Sequence, residues 1–344
     1  MCGWIFYFLL TPKITFSFYP FIMNGTNSNH INIFSECGLD VRRYRYYDRA
    51  NNGLDLKGML RDLQKAPRGS IILLHACAHN PTGCDPTIHE WKQIISIISS
   101  RDHVAFFDCA YQGFASGDAE ADGMSCDSQY FFMNGFYFLF LVRVFSYLSF
   151  FFKLKNAAAP FRYAVSQHVP ILLAQSFAKN FGLYGERCGT VSVVCGDSEQ
   201  KERILSELRL VIRPMYSSPP KHGSSIVKTI LMDENLKKDY YKECASMAHR
   251  IAKMREALVD NLVNVQKSQH DWSHITRQIG MFAFTGITTE MCHELTEKYS
   301  IFLTTNGRIS IAGLNESNVD YVANALHAVT DGKSMAISKE EEAK

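Results

Sequence analysis

Apolar residues along this chain gather in short, near-continuous runs separated by turn residues and by stretches with helical spacing. "SIILLHACA" (70–78), "HVAFFDCAY" (103–111), "VPILLAQSF" (169–177) and "GTVSVVC" (189–195) are such runs. A strand covered on both faces reads this way, because neither side needs a polar row. Between the first two lies "DPTIHEWKQIISIISSR" (85–101), with Trp91, Ile94, Ile95 and Ile98 on one helical face. Asp85 is placed to cap that helix, with Pro86 at its first position. Strands alternating with helices predict an α/β fold, a mostly parallel central sheet flanked by helices. After about residue 198 the pattern changes. "SEQKERILSELRLVIRP" predicts a helix stopped by Pro214. Residues 233–265 predict one long or bent helix, with Tyr241, Met247, Ile251, Met254, Leu258 and Leu262 along one face. "GMFAFTGI" (280–287) and "GRISIAGL" (307–314) predict strands of a smaller α+β domain. "NESNVDYVANALHAVT" (315–330) predicts a last amphipathic helix.

Two segments follow no such pattern. Residues 1–23 and 126–160 hold 14 of the 24 Phe within 58 residues, and neither alternates nor repeats at helical spacing. Tyr130 to Phe152 is long enough to be weighed as a membrane span. Arg143 near its middle, Asn134 and several Ser weaken that reading. The N-terminal run lacks the Arg- and Ser-rich amphipathic character of a transit peptide, and Pro12 and Lys13 interrupt it.

Composition narrows the function classes. With 344 residues there is room for two domains. Charge is nearly balanced, 36 Lys and Arg against 34 Asp and Glu, with no basic run, which argues against a nucleic-acid partner or an anionic membrane surface. Ten scattered cysteines without a C-x-x-C pair suit a reducing compartment and free thiols. That argues against use of "NGT" (24–26) as a glycosylation acceptor. The acidic end "SKEEEAK" reads as solvated.

Candidate chemistry sits where the strands end. Asn80 follows the first, Asp108 ends the second, and Ser176 and Lys179 follow the third. Ligands of open parallel sheets bind outside these carboxyl ends. Alternation also puts His75, Cys77 and His79 on one strand face, but no fourth ligand at metal spacing accompanies them, so no metal is predicted. Ser176-x-x-Lys179 matches a serine β-lactamase pattern without its companion motifs. A lysine and an aspartate converging on one crevice suit pyridoxal 5'-phosphate. The amine can condense with the cofactor's aldehyde, and the carboxylate can keep the pyridine nitrogen protonated. Ser176 and Arg187 are placed to supply phosphate donors.

At these residues the chain resembles the aspartate aminotransferases, of the pyridoxal-phosphate fold-type I superfamily. "RYRYYDRANNGLDL", "LLHACAHNPTGCDPT", "FFDCAYQGFASGD", "AQSFAKNFGLYGERCG", "RPMYSSPPKHG", "QIGMFAFTGI" and "GRISIAGL" carry the resemblance, over about residues 29–125 and 161–331. Their wording is closer to the mitochondrial isoform. The resemblance implies transfer of an amino group from L-aspartate to 2-oxoglutarate, giving oxaloacetate and L-glutamate. By resemblance Lys179 bonds the cofactor and moves the proton at the substrate Cα. Asp108 pairs with the ring nitrogen, and His30 stands behind Asp108. Asn80 and Tyr111 bond the ring oxygen, while Ser176 and Arg187 hold the phosphate. Arg308 grips the α-carboxylate and Phe282 lines the substrate side. Arg213 reaches into a homodimer partner's site to pair with the distal carboxylate, which would select small dicarboxylic amino and oxo acids.

Several expectations follow from the resemblance. The domains divide as 1–23, a non-family aromatic segment; 24–246, a large cofactor domain interrupted by 126–160; and 247–344, a small C-terminal domain. The family has roughly a hundred further residues before Asn29, among them a glycine-rich phosphate loop. Its cofactor-stacking tryptophan would fall at Asn27. The flanks of 126–160 join naturally without it, so both aromatic segments read as translated non-coding sequence. A membrane span there would part Asp108 from Lys179, so an active form has none. The compartment implied is the mitochondrial matrix, with the cytosol as the alternative. Rival readings are a kynurenine or aromatic aminotransferase, which would not need Arg213, and an inactive truncated remnant.

Overall fold

The computed structural model describes residues 19–24, 28–118, 122, 140–146, 160–217, 220–331 and 333, with the backbone alone for 28, 140–146 and 162. Its strands begin with β1 (Pro20–Met23) and β2 (Arg42–Tyr44), followed by a small antiparallel pair, β3 (Tyr47–Asp48) and β4 (Gly53–Leu54). Then come β5 (Ile71–His75), β6 (Val104–Cys109), β7 (Phe140–Ser146), β8 (Ile171–Ser176) and β9 (Gly189–Cys195). Seven of them form one sheet in the order β2-β1-β5-β6-β8-β9-β7. The first five in that order run parallel, as their apolar runs predict. Every residue of β5 is buried, which is why its sequence shows no alternation.

Two strands depart from the parallel rule. β9 lies antiparallel to β8, and β7 runs parallel to β9. No helix intervenes between β8 and β9. Without a crossover, only antiparallel pairing is within reach of the returning chain. The aromatic segments are also drawn into the sheet in part. Pro20–Met23, the last four residues of the segment placed outside the family, are buried as β1 between β2 and β5. A strand buried on both faces has no alternation to read. Within 126–160, residues 140–146 form the edge strand β7. Residues 130–139 and 147–152 of the stretch weighed as a membrane span lie outside the described residues. No helix among the described residues is long and apolar enough to cross a membrane.

The helices are α1 (Ser28–Glu36), α2 (Leu56–Lys65), α3 (Ile88–Ser100), α4 (Pro160–Ser166), α5 (Ser198–Met215), α6 (His222–Met232), α7 (Glu234–Asp260), α8 (Ser273–Arg277), α9 (Thr289–Tyr299) and α10 (Val319–Thr330). α3 starts later than its sequence suggested. Thr87, not Asp85, caps it: Thr87 Oγ1 accepts from the Glu90 N–H at 3.3 Å, and Glu90 Oε2 accepts from the Thr87 N–H at 2.7 Å. This reciprocal capping box was legible as Thr-x-x-Glu. It frees the Asp85 carboxylate for another task. α5 ends one residue past Pro214, close to the stop its sequence predicts.

Two separate cores result. Buried residues from Phe21 to Leu208 pack about the large sheet. Residues from Ile251 to Val329 pack about a second, antiparallel pair, β10 (Phe282–Phe284) and β11 (Arg308–Ser310). α7 runs without a break through the boundary expected at 246/247 and ends in a π-helical turn, Asn261–Val265. The single long or bent helix expected there is therefore present. Thr87→Ala is expected to lower stability by about 1 kcal/mol. A shifted urea midpoint at unchanged slope would register it, and an unchanged midpoint would count against the capping box.

Candidate active site

Strand register builds the floor of the crevice. His75 at the end of β5 lies opposite Asp108 on β6, and Asp108 lies opposite Ala174 on β8. α1 lays His30 over this edge, with Nε2 2.9 Å from Asp108 Oδ2. Burial by itself would push the Asp108 carboxyl upward. The hydrogen bond from His30 and the positive charge of neighbouring groups, Lys179 among them, outweigh it and hold Asp108 at about 2. The result is a carboxylate that stays ionised at the bottom of a crevice.

His75 is a different kind of neighbour. Burial lowers its pKa to about 4, so the ring is neutral. Its Nδ1 accepts the Asn80 backbone N–H at 3.1 Å, which leaves the ring proton on Nε2. His30, His75 and Asp108 bring their ligand atoms within 4.8 Å of one another. A metal would need the His75 Nε2 lone pair, which this tautomer has given to the proton. The histidines grouped by sequence alternation divide between two tasks, since His79 turns to Thr82 Oγ1 at 2.7 Å and packs its ring 4.1 Å from that of Tyr46.

The turn after β5 is held from below by Asp85. Its carboxylate accepts the N–H of Ala78 at 2.6 Å and of His79 at 2.8 Å. Ala78 sits at φ +49, a conformation a non-glycine residue keeps only when its surroundings impose it. Desolvation raises Asp85 to about 6, against the pull of the two N–H groups. So fixed, the turn presents Asn80, whose Oδ1 accepts from Arg308 Nη1 at 3.0 Å.

The remaining residues close around Asn80. Burial keeps the Tyr111 phenol protonated beside Asn80. The Phe282 ring meets Tyr111 edge-on at 6.2 Å, and the Arg308 guanidinium carbon lies 4.6 Å from the Phe282 ring centre. Lys179 Nζ stands 4.8 Å from the Tyr111 ring centre and 5.8 Å from that of Tyr184. Asp108, His30, Asn80, Tyr111, Lys179, Phe282 and Arg308 therefore converge, although they come from both cores.

Ser176 and Arg187 are joined more loosely. The antiparallel register sets Ser176 opposite Gly189, two residues past Arg187. Ser176 Oγ accepts the Ala178 N–H at 3.2 Å, and the exposed Arg187 donates to the Tyr184 carbonyl at 3.3 Å. Arg213 stays apart. It is exposed in the last turn of α5 and donates to Ser217 Oγ at 2.5 Å.

The donor set suits pyridoxal phosphate in kind. It offers an ionised carboxylate for a protonated ring nitrogen, hydrogen-bonding groups for a ring oxygen, a primary amine, and a hydroxyl and guanidinium on one hairpin. Sequence reasoning missed three contributors. Asp85 was read as a helix cap, and neither Tyr184 inside "FGLYGER" nor Arg255 within the long helix stood out. The one available signal was Thr87-x-x-Glu90, which made Asp85 redundant as a cap.

A mostly parallel sheet with an ionised carboxylate and a primary amine at its carboxyl edge defines the class of protein. The family of class I and II aminotransferases matches residues 21–326, and the chain belongs to it. It is 45% identical over 318 residues to the mitochondrial aspartate aminotransferase of Schizosaccharomyces pombe, covering 91% of this chain and spanning 65% of that relative's length. The structure of a mitochondrial aspartate aminotransferase from Trypanosoma brucei superposes with a TM-score of 0.82 at 40% identity, over 96% of this chain and 77% of that one. An aromatic-amino-acid aminotransferase from Burkholderia pseudomallei, solved covalently bound to pyridoxal phosphate, gives 0.80 at 34% identity, over 95% and 72%.

Asp85 yields a pH prediction. The folded carboxyl keeps its proton to about 6, while a free aspartate loses its own near 3.8. Between those values the folded state holds the extra proton, so stability falls as pH rises, by roughly 3 kcal/mol in all. Asp85→Asn is expected to flatten that slope in denaturant titrations from pH 4 to 7. An unchanged slope would refute the assignment.

Proposed function

We propose that this chain carries out the aspartate:2-oxoglutarate aminotransferase reaction with pyridoxal 5'-phosphate as cofactor. The observation that carries the reading is Asp108, kept ionised by His30 beneath a crevice into which Lys179 projects over Tyr111. Bound cofactor supplies the carbonyl that takes up the amino group and the ring that accepts electrons from the substrate Cα. The protein's residues do the rest. Asp108 holds the proton on the ring nitrogen. Asn80 and Tyr111 bond the ring oxygen, and Ser176 and Arg187 receive the phosphate. Lys179 would hold the cofactor through its amine and would move the proton at the substrate Cα. Arg308 takes the α-carboxylate as a bidentate pair. Phe282 under its guanidinium helps to keep water away from it.

Arg213, exposed in one copy, is assigned to the distal carboxylate in a partner's site, which makes the active form a homodimer. The two cores support a large domain of 24–246, whose sheet also takes in Pro20–Met23, and a small one of 247–344. Likeness to mitochondrial relatives favours the matrix over the cytosol.

The test is spectroscopic and kinetic. The full chain should take up pyridoxal phosphate with an absorbance band that shifts on adding aspartate, and Lys179→Ala should abolish the shift. Arg213→Leu should lower kcat/KM for aspartate by roughly 100-fold and spare aromatic amino acids. Full turnover by Lys179→Ala would overturn the assignment. An unchanged kcat/KM for aspartate in Arg213→Leu would favour the aromatic reading, which does not need Arg213.

A further inference from the structure

Arg255 lies near the C-terminal end of α7 and is 4% exposed. No carboxylate among the described residues forms a salt bridge with it. Its fork donates instead to three backbone carbonyls: Ile275 from Nη1 at 3.1 Å, and Gly280, at 2.7 Å, and Phe282 from Nη2. Burial lowers its pKa only to about 10, so it remains a cation. A charged group kept dry without a counter-ion must be held by dipoles, and these carbonyls are its dipoles.

The segment it holds is the one that meets the Asn80 turn. Gly280 has φ +83, and a Cβ there would come within 2.5 Å of the Ala78 Cβ. The Ile279 N–H donates to the Gly83 carbonyl at 2.9 Å, and the Gly83 N–H to the His79 carbonyl at 2.7 Å. A Cβ on Gly83 would meet Gln278 and Ile279 atoms at 2.9 Å. Gln278 in turn bonds both the N–H and the carbonyl of Phe284. Two turns from the two cores thus lie backbone against backbone, with Phe282 at the end of the second.

We propose that Arg255 is a positioning residue for carboxylate recognition: it locks the 275–282 segment onto the Ala78–Gly83 turn and so seats Phe282 beneath Arg308. The inference rests on the carboxylate-binding role proposed for Arg308. Phe282 backs the Arg308 guanidinium, and Arg308 Nη1 bonds Asn80. Both sides of that arrangement are fastened by the junction that Arg255 closes. A lysine cannot replace it, because one ammonium cannot stand where both Nη1 and Nη2 reach their separate carbonyls.

The test compares the full chain with Arg255→Lys, Arg255→Met and the control Arg250→Met. Arg250 is an exposed residue of the same helix that bonds the Leu314 and Ala312 carbonyls. Amide hydrogen exchange is followed at Gly83, Ile279 and Phe284. Succinate affinity is measured by calorimetry, and pyridoxal phosphate affinity by absorbance. Both Arg255 variants should speed exchange at those amides by about tenfold or more, with the large sheet and α10 unchanged. Succinate should bind about tenfold more weakly, and the cofactor within about twofold of the parent. Arg250→Met should leave all three readouts unmoved. Equal loss of succinate and cofactor binding, or exchange that rises throughout the second core, would reduce Arg255 to a stability role and overturn the proposal. Unchanged exchange in Arg255→Lys would overturn it as well, and that variant decides if Arg255→Met does not fold. If the parent binds neither probe, the aminotransferase reading fails, and the exchange data still decide whether the lock exists.

Discussion

A carboxylate placed at the buried end of a parallel strand is the constraint from which this site is built. Asp108 cannot stay ionised there without a partner, because low dielectric favours its neutral form. His30 is that partner, and the position of α1 over the strand ends follows from the need. His75 could not do the same work. Burial keeps it neutral, and its acceptor nitrogen is spent on the Asn80 N–H. One bond therefore sets both the tautomer of His75 and the direction in which Asn80 leaves the strand.

The second constraint is backbone satisfaction where the two cores meet. Turns cannot be buried unless their N–H and carbonyl groups find partners. Asp85 serves the N–H groups of one turn, and Arg255 serves the carbonyls of the other. The opposite charges match the opposite polarity of the groups they satisfy. Gly83 and Gly280 then allow the turns to approach to a distance that any side chain would prevent. The crevice inherits its geometry from this junction, since Asn80 stands on one side of it and Phe282 on the other.

The large sheet shows how far local pattern can mislead about extent. Pro20–Met23 looked like the tail of a patternless aromatic segment, yet it fills a central place between β2 and β5. Such a place requires only continuous apolarity and extended backbone. β7 is paired along its whole length with β9 and forms one edge of the sheet. The reversal at β8 and β9 arises because the connection carries no helix, and strand composition does not report that.

The sequence alone determined the elements with strong periodicity and the residues that sit at strand ends. Parallel strands deliver their last residues to one edge whatever the loops do, so Asn80, Asp108, Ser176 and Lys179 could be grouped before any coordinates. The family resemblance added Arg308, Phe282 and His30, which lie far from those strands in the chain. Only the tertiary structure decided that His75 stays neutral and accepts from the Asn80 N–H, that Asp85 holds a turn rather than a helix, and that Arg255 is buried. Each of these depends on contacts between residues distant in sequence. A hydrogen-bond partner leaves no mark in the spacing of the residue that needs it.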